Sequence, residues 1–437
     1  MNRKLVLIMS LTLLVGMLSV AFYSYPVESD YTWTETIYIR ADGSIDPSDA
    51  PIVTADNVTY LLTGNINSSV DGIVIERSNV ILDGGGYGVQ GTGTWAGISL
   101  SGRSNVTIKN MTIRTFWYGI VLDSYADYNS ISGNIITNNE WGITLDFSSS
   151  NSISGNNVTA NNYTGIGLDS SSNYNDISGN KITNNIVGIV AASSANNNII
   201  WGNEIADNNR GVYISGAGSN MFFHNNFVGN TQQVVCYDST NLWDDGYPSG
   251  GNYWSDYDGT DSHVGPFQND TRGPDGIGDT PYGIDVNNTD NYPLMGIFQN
   301  FDVSYIEPNL AVTTVSNFTI SGFEIYQSAE HPEENIIAFN ATAQINAWGF
   351  CRICIPHAVL EDPKSLKVDG WGGMYCNMYV TDNGTHRWIY FADPYPTYRV
   401  TITIPEFPSF LVLTLFMIAT LLAVTVYRRK HSKADRT

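Results

Sequence analysis

Between residues 60 and 240 apolar and polar residues alternate in short runs of three to five, the period of a half-buried strand, with no stripe at helical spacing. The pattern repeats. The phrases YGIVL, WGITL, TGIGL, VGIVA and RGVYI place glycines at 119, 142, 165, 188 and 211, each 23 residues after the last, and looser copies precede them at Gly72 and Gly97. A second marker, Asn134, Asn156, Asn180, Asn203 and Asn226, recurs mostly within ISGN. A fixed period in this range signals a solenoid, whose units cannot bury an apolar face alone and so stack on their neighbours. One unit supplies three short strands joined by tight turns. Stacked about 4.8 Å apart in parallel, the units predict a right-handed parallel β-helix over 61–240, with about eight coils in a rod on the order of 38 Å long.

Alignment of the units names the inward positions. The first strand gives Ile120, Ile143, Ile166, Ile189 and Val212, with Leu122, Leu145, Leu168, Ala191 and Ile214 two places on. The second gives Ile131, Ile153, Ile177, Ile200 and Phe223, and the third Ile136, Val158, Ile182, Ile205 and Val228. The repeated Asn is expected to turn its amide inward and bond to the next Asn of the stack, since a buried amide needs partners. The repeated Gly marks a bend, or an approach too close for a Cβ.

The rest of the chain divides by pattern. Residues 1–25, with Asn2, Arg3 and Lys4 before an apolar run from Leu5 to Phe22, read as a signal peptide or N-terminal anchor. Residues 26–60 lead into the coils, and 241–297 form an Asp- and aromatic-rich cap. Residues 298–404 carry longer alternating runs that predict a small β-sandwich. In 405–437 the apolar run Phe410 to Val426 precedes Arg428, Arg429 and Lys430, which the positive-inside rule places in the cytoplasm. The fold class is therefore all-β between hydrophobic helices at the two termini. The expected location is the extracellular face of the cell membrane, anchored through the C-terminal helix.

Composition sharpens this picture. A net charge of -22 excludes nucleic acid as a partner, because phosphates require a basic surface. Eleven N-x-[ST] sequons, among them Asn57, Asn105 and Asn157, fit a glycosylated exterior.

Two resemblances add to the reading. Pro405-Glu406-Phe407, the apolar run and the basic cluster resemble the PEF-type sorting tails of archaeal surface proteins, which implies removal of the tail by an archaeosortase. The repeats are followed by Asn241-Leu242-Trp243-Asp244-Asp245-Gly246, GGNYWSDY, DGIGDTPYGID and DNYPL. Together these resemble the NosD-like β-helix proteins of the carbohydrate-binding and sugar-hydrolase superfamily. That resemblance implies a link to copper delivery. Copper wants Cys, Met or clustered His, whereas His224, His263, Cys236 and Met221 are scattered without motif spacing.

The candidate chemistry sits beside the repeated Gly. Four positions past it come Glu76, Ser101, Asp123, Asp146, Asp169, Ala192 and Ser215, so three carboxylates stack on successive coils. Before the Gly come Trp117, Tyr118, Trp141 and Tyr163. Aromatic faces with nearby carboxylates suit a sugar, which offers a C–H face for stacking and hydroxyls for hydrogen bonds. The competing reading is an Asp that caps a strand-end turn.

A hydrolase using Asp123, Asp146 and Asp169 would need carboxyl groups of unlike environment, and repeat-equivalent positions offer no evident asymmetry. The polygalacturonase phrases G-H-G and R-I-K are missing, and the coils carry few basic residues for a lyase.

From Asp244 to Asp290 there are ten Asp and one basic residue, Arg272. Short carboxylates on tight turns are what calcium takes, with Asp270, Asp275, Asp279 and Asp285 as candidate ligands. Cys351 and Cys354 form a C-x-x-C, and one of them is expected to pair with Cys376 in a disulfide. The function expected is non-enzymatic binding of a glycan or cell-envelope polymer. The alternatives are a polysaccharide hydrolase or lyase, a purely structural coat protein, and a copper-binding protein.

Overall fold

The structure is a computed structural model that describes residues 33–308, 310–327, 335–342, 349–359, 367–368, 379–393 and 397–403. The expected signal segment, the tail 405–437 and Cys376 lie outside the described residues. The chain forms two compact units. One runs to Asp244 and adds Trp254–Asp256 and Tyr282–Asp290; the other comprises Asp245–Tyr253, Tyr257–Pro281 and the chain from Asn291. The stretch 241–297, expected as a single cap, is thus shared between them.

The first unit is a parallel β-helix with sheets of ten, nine and nine strands. Nine rungs of the first sheet run in parallel from Ile37–Ile39 through Tyr118–Asp123, Trp141–Asp146 and Thr164–Asp169 to Gln232–Tyr237. The coils therefore start well before residue 61 and number about nine.

Neighbouring coils are in strict register, with Ile120 opposite Ile143, Ile143 opposite Ile166 and Ile166 opposite Ile189. These side chains are fully buried, as are Leu122, Leu145, Leu168, Ile131, Ile153, Ile177, Ile136, Val158 and Ile182. Each contributes about 1.5–3 kcal/mol by leaving water, which only the stack makes possible.

The last coil corrects the expected register. Phe222 and Phe227 are the buried residues, opposite Ile200 and Ile205, while Phe223 and Val228 face outward. The step here is one residue shorter than the 23-residue period, and that slip turns every following side chain over. The two phenylalanines meet an aromatic plug. Phe222 stacks on Trp243 at 4.4 Å, Phe227 on Trp254 at 4.2 Å, and Trp254 on Tyr282 at 4.3 Å between ring centroids. The conspicuous Trp residues of the 241–297 stretch thus close the open end of the hydrophobic column.

Three asparagine ladders line the turns, where one was expected. They run through Asn129, Asn151, Asn175, Asn198 and Asn220; through Asn134, Asn156, Asn180, Asn203 and Asn225; and through Asn139, Asn161, Asn185, Asn208 and Asn230. The member contributed by the last coil is Asn225 rather than Asn226, the same one-residue slip. Within a ladder each Oδ1 accepts from the backbone N–H of the preceding Asn and, beyond Asn129, from its Nδ2 as well, and nearly every Nδ2 also donates to a carbonyl one coil back. Asn180 shows the full set, with bonds of 2.8–3.0 Å to Asn156, Asn203 and Ile153. One ladder ends on the plug. Asn241 donates its N–H to Asn288 Oδ1 at 3.0 Å, and Trp243 Nε1 donates to the same oxygen at 3.1 Å.

The repeated glycines are a matter of closeness. A Cβ on Gly119 would stand 2.5 Å from the carbonyl oxygen of Gly142, and most other members of the series meet the next coil in the same way.

In the second unit, strands from Ile297 onward form a five-stranded and a four-stranded antiparallel sheet. Val312, Ile353, Ile389 and Phe391 from the first share one buried cluster with Ile337, Phe339, Val400 and Ile402 from the second. Cys351 lies in this cluster, and Cys354, three residues on, is only half-buried. Neither is bonded to the other. Among the described residues no helix is long and apolar enough to cross a membrane.

Candidate functional site

The outward face of the first sheet carries three columns on successive coils. Register pairs Tyr118 with Trp141 and Trp141 with Thr164; Val121 with Thr144 and Thr144 with Gly167; and Asp146 with Asp169. Asp123 ends its strand one coil before Asp146. Alternation sends Ile120, Leu122 and their equivalents inward and the central and acidic positions outward, and the break at the repeated Gly, where Gly119 and Ile120 are both buried, brings the aromatic position to the same surface.

A groove of about 390 Å³ opens there. Its origin is a single residue. The central column reads Ser99, Val121, Thr144, Gly167, Val190 and Tyr213, so one rung has no side chain. The Trp141 ring leans toward the gap, its Cε3 and Cζ3 3.7 Å from where a Gly167 Cβ would lie. Tyr118, Trp141, Asp123, Asp146, Asp169, Thr144, Ser170 and Val190 complete the walls.

Trp141 packs against Tyr163 at 4.7 Å and against Tyr118 at 6.5 Å between centroids, tilted in both cases, which fixes the indole within an aromatic cluster. Trp117 is 46 % exposed and does not line the groove. Of the residues anticipated from sequence, Tyr118, Trp141, Asp123, Asp146 and Asp169 are thus brought together, Tyr163 supports them, and Trp117 stands apart. Gly167 and Thr144 were missed. Their signal was present in the aligned units, as a Gly in a column otherwise filled by side chains.

The three carboxylates do not share one environment. Asp169 is exposed and accepts the Ser170 N–H on Oδ1 at 2.7 Å, the turn-capping role. Asp123 is half-buried, and its Oδ1 is sheltered from solvent without a hydrogen-bond partner in the protein. The same holds for Thr144 Oγ1. Both belong to residues that line the groove, and a sheltered oxygen without a partner is costly. The sequence showed three equivalent aspartates; the structure sets the exposed, turn-capping Asp169 apart from the half-buried Asp123 and Asp146.

The aspartates anticipated as calcium ligands have the following surroundings. Asp279 accepts the backbone N–H groups of Ser262 and His263, each at 3.0 Å, and lies 3.2 Å from His263 Nδ1. In the opposite direction, Asp261 accepts the N–H groups of Asp275 and Gly276 at 3.0 and 2.7 Å. The two carboxylates clasp segments 261–263 and 275–279 together. Burial pushes Asp261 up to about 7, against the pull of its two N–H donors. Asp275 is 3 % exposed and likewise raised by burial, with the buried Arg352 opposing. Asp270 is exposed, and Asp285, in the β-helix unit, accepts from Asn288 Nδ2 on both oxygens at 2.9 Å. Among the described residues no group of three or more His, Cys, Asp or Glu is placed to hold a metal ion.

Solved structures share the architecture weakly. The Dettilon tailspike protein is 11 % identical with 85 % of this chain and 86 % of that chain covered, at a TM-score of 0.34. The enzymatically active domain of bacteriophage CBA120 tailspike protein 2 is 12 % identical, with 78 % and 71 % covered and a TM-score of 0.37. The A-module of the Azotobacter vinelandii mannuronan C-5 epimerase AlgE6 is 18 % identical, with 48 % and 70 % covered and a TM-score of 0.32. Likenesses of this level say nothing about activity. No curated protein sequence matches the chain significantly. Residues 38–259, half of the chain and nearly all of its coils, match the family described as periplasmic copper-binding protein (NosD), and the chain belongs to that family.

Proposed function

We propose that this protein binds a glycan or cell-envelope polymer in the groove at Gly167, without cleaving it, on the outer side of the cell membrane. One observation carries the reading: a gap in the central column sets an aromatic face, three carboxylates and the Thr144 side chain around one open hollow. A sugar offers what each wall lacks, C–H faces for Trp141 and hydroxyl donors for Asp123 and Thr144. The periplasmic description of the family supports the outward location, as do the basic cluster at Arg428 and the PEF-type tail, with the two antiparallel sheets of the second unit as a β-sandwich spacer above the anchor.

Among the described residues the family's copper finds no donor set in the β-helix. Within the matched residues Met111 is buried in the core, and Cys236 is half-buried on the last rung of the first sheet. Met221 and His224 belong to the last coil of the second sheet, so no soft ligands assemble in the groove.

A hydrolase using Asp123, Asp146 and Asp169 is the second reading, favoured by the unlike surroundings of Asp123 and Asp169, since acid and base roles require carboxyls of different environment. Two substitutions separate these readings. Against a panel of cello-, chito- and mannohexaose, Trp141→Ala is expected to weaken binding by about 1–3 kcal/mol through lost stacking and burial. Asp146→Asn should leave most of the affinity for whichever hexaose binds. Release of shorter sugars by the parent protein that stops in Asp146→Asn would establish the hydrolase instead.

A further inference from the structure

The charge of the groove narrows the class of glycan, and this step rests on the binding reading above. Some outward carboxylates elsewhere on the rod have cations beside them: Lys109 lies 3.2 Å from Asp83, Lys181 lies 3.2 Å from Glu204, and Arg40 bonds both Asp46 and Glu76. Others, such as Asp176 and Asp207, form no ion pair among the described residues, and the groove carboxylates belong with these. No Lys, Arg or His is among its lining residues, and among the described residues none of Asp123, Asp146 and Asp169 forms an ion pair.

Three like charges on consecutive coils, about 4.8 Å apart, repel one another, and a net charge of -22 adds to the same potential. A uronate or sulfated chain would bring more negative charge and meet no cation. A neutral sugar would fill the vacant acceptors but leave the repulsion in place. A protonated amine answers both needs, with three N–H donors for the carboxylates that line the groove and one positive charge to offset the column.

We propose that the groove selects glycans bearing free amines, polymers of hexosamine that are at least partly N-deacetylated, with sugar faces on Trp141 and ammonium groups against the acidic column.

The test compares three probes on the full chain at pH 6 by calorimetry: a glucosamine hexamer, its N-acetylated counterpart and an oligogalacturonate. The glucosamine hexamer is expected to bind about tenfold or more tightly than the N-acetylated one, the scale of a charge-assisted hydrogen bond. The advantage should shrink with added salt and vanish in the double variant Asp123→Asn, Asp146→Asn. Equal affinities for the two hexamers would overturn the amine selectivity and leave the groove as a glycan site. Tighter binding of oligogalacturonate would overturn it too. If no probe binds either protein, the groove reading itself fails and this inference falls with it.

Discussion

A full chain carrying Ile153→Asp is expected to lose its cooperative β-helix melt. Ile153 is fully buried and stacked between Ile131 and Ile177, so the carboxylate would lie in the hydrophobic column with no cation to meet it. An unpaired charge placed there costs several kcal/mol, comparable with the whole stability of an ordinary domain. The damage spreads because each coil is held by its two neighbours, and one lost rung divides the stack. Ser154→Asp, on the next residue and facing outward, should change stability by no more than about 0.5 kcal/mol. Circular dichroism melts of the pair check the register: a normal melt for Ile153→Asp would mean that the inward face is wrongly assigned.

The second large effect is polar. Asn180→Ala removes an amide that bonds on both sides, and leaves the Asn156 N–H, the Asn156 amide and the Ile153 carbonyl buried without it. A buried group left without its hydrogen bond costs about 1–3 kcal/mol, so the sum is on the order of 3–6 kcal/mol. Little of this comes from lost apolar burial. Asn138→Ala should cost only about 1 kcal/mol by contrast, because that amide is exposed and bonds only the hydroxyl of Thr137, and the loss is that of an Asn favoured at a left-handed φ of 55°. Denaturant titration of the two variants measures the difference directly.

The sequence made the inward ladders readable because their chemistry is periodic: an Ile or Leu at the same place in every unit leaves no choice of face. Reading failed where the period broke. The step into Phe222 and Phe227 is one residue short, and Phe223 and Val228 are apolar enough to pass for core. Two of the three asparagine ladders were lost in a chain so rich in Asn that position alone did not mark them.

The plug was unreadable for another reason. Asn288 closes a ladder at Asn241 from 47 residues away, and Trp254 donates to the buried Asp290 at 2.8 Å across 36 residues. No local pattern reports such contacts. Part of the Asp- and Trp-rich phrase that suggested ligand chemistry is therefore structural, ending the solenoid and satisfying its last donors. The groove lies between these extremes. Its aromatic and acidic columns were visible in the aligned units, but a Gly in a strand ordinarily suggests a bulge or weak packing. Only with the Trp141 ring beside it does Gly167 become a hollow, and only with atoms placed do the three aspartates cease to be equivalent.

Gly167→Val tests the central claim most directly. Its column already carries Val121 and Val190, and the nearest atoms to a new Cβ are 3.7 Å away, so the fold should accept the side chain. The added methyls would occupy the floor of the groove beneath Trp141. The decisive measurement is the affinity of the full chain for a glucosamine hexamer and its N-acetylated counterpart, read beside a thermal melt. The account predicts an unchanged melt with binding of both sugars lost; full affinity retained in a normally folded Gly167→Val protein would place the glycan elsewhere and contradict it.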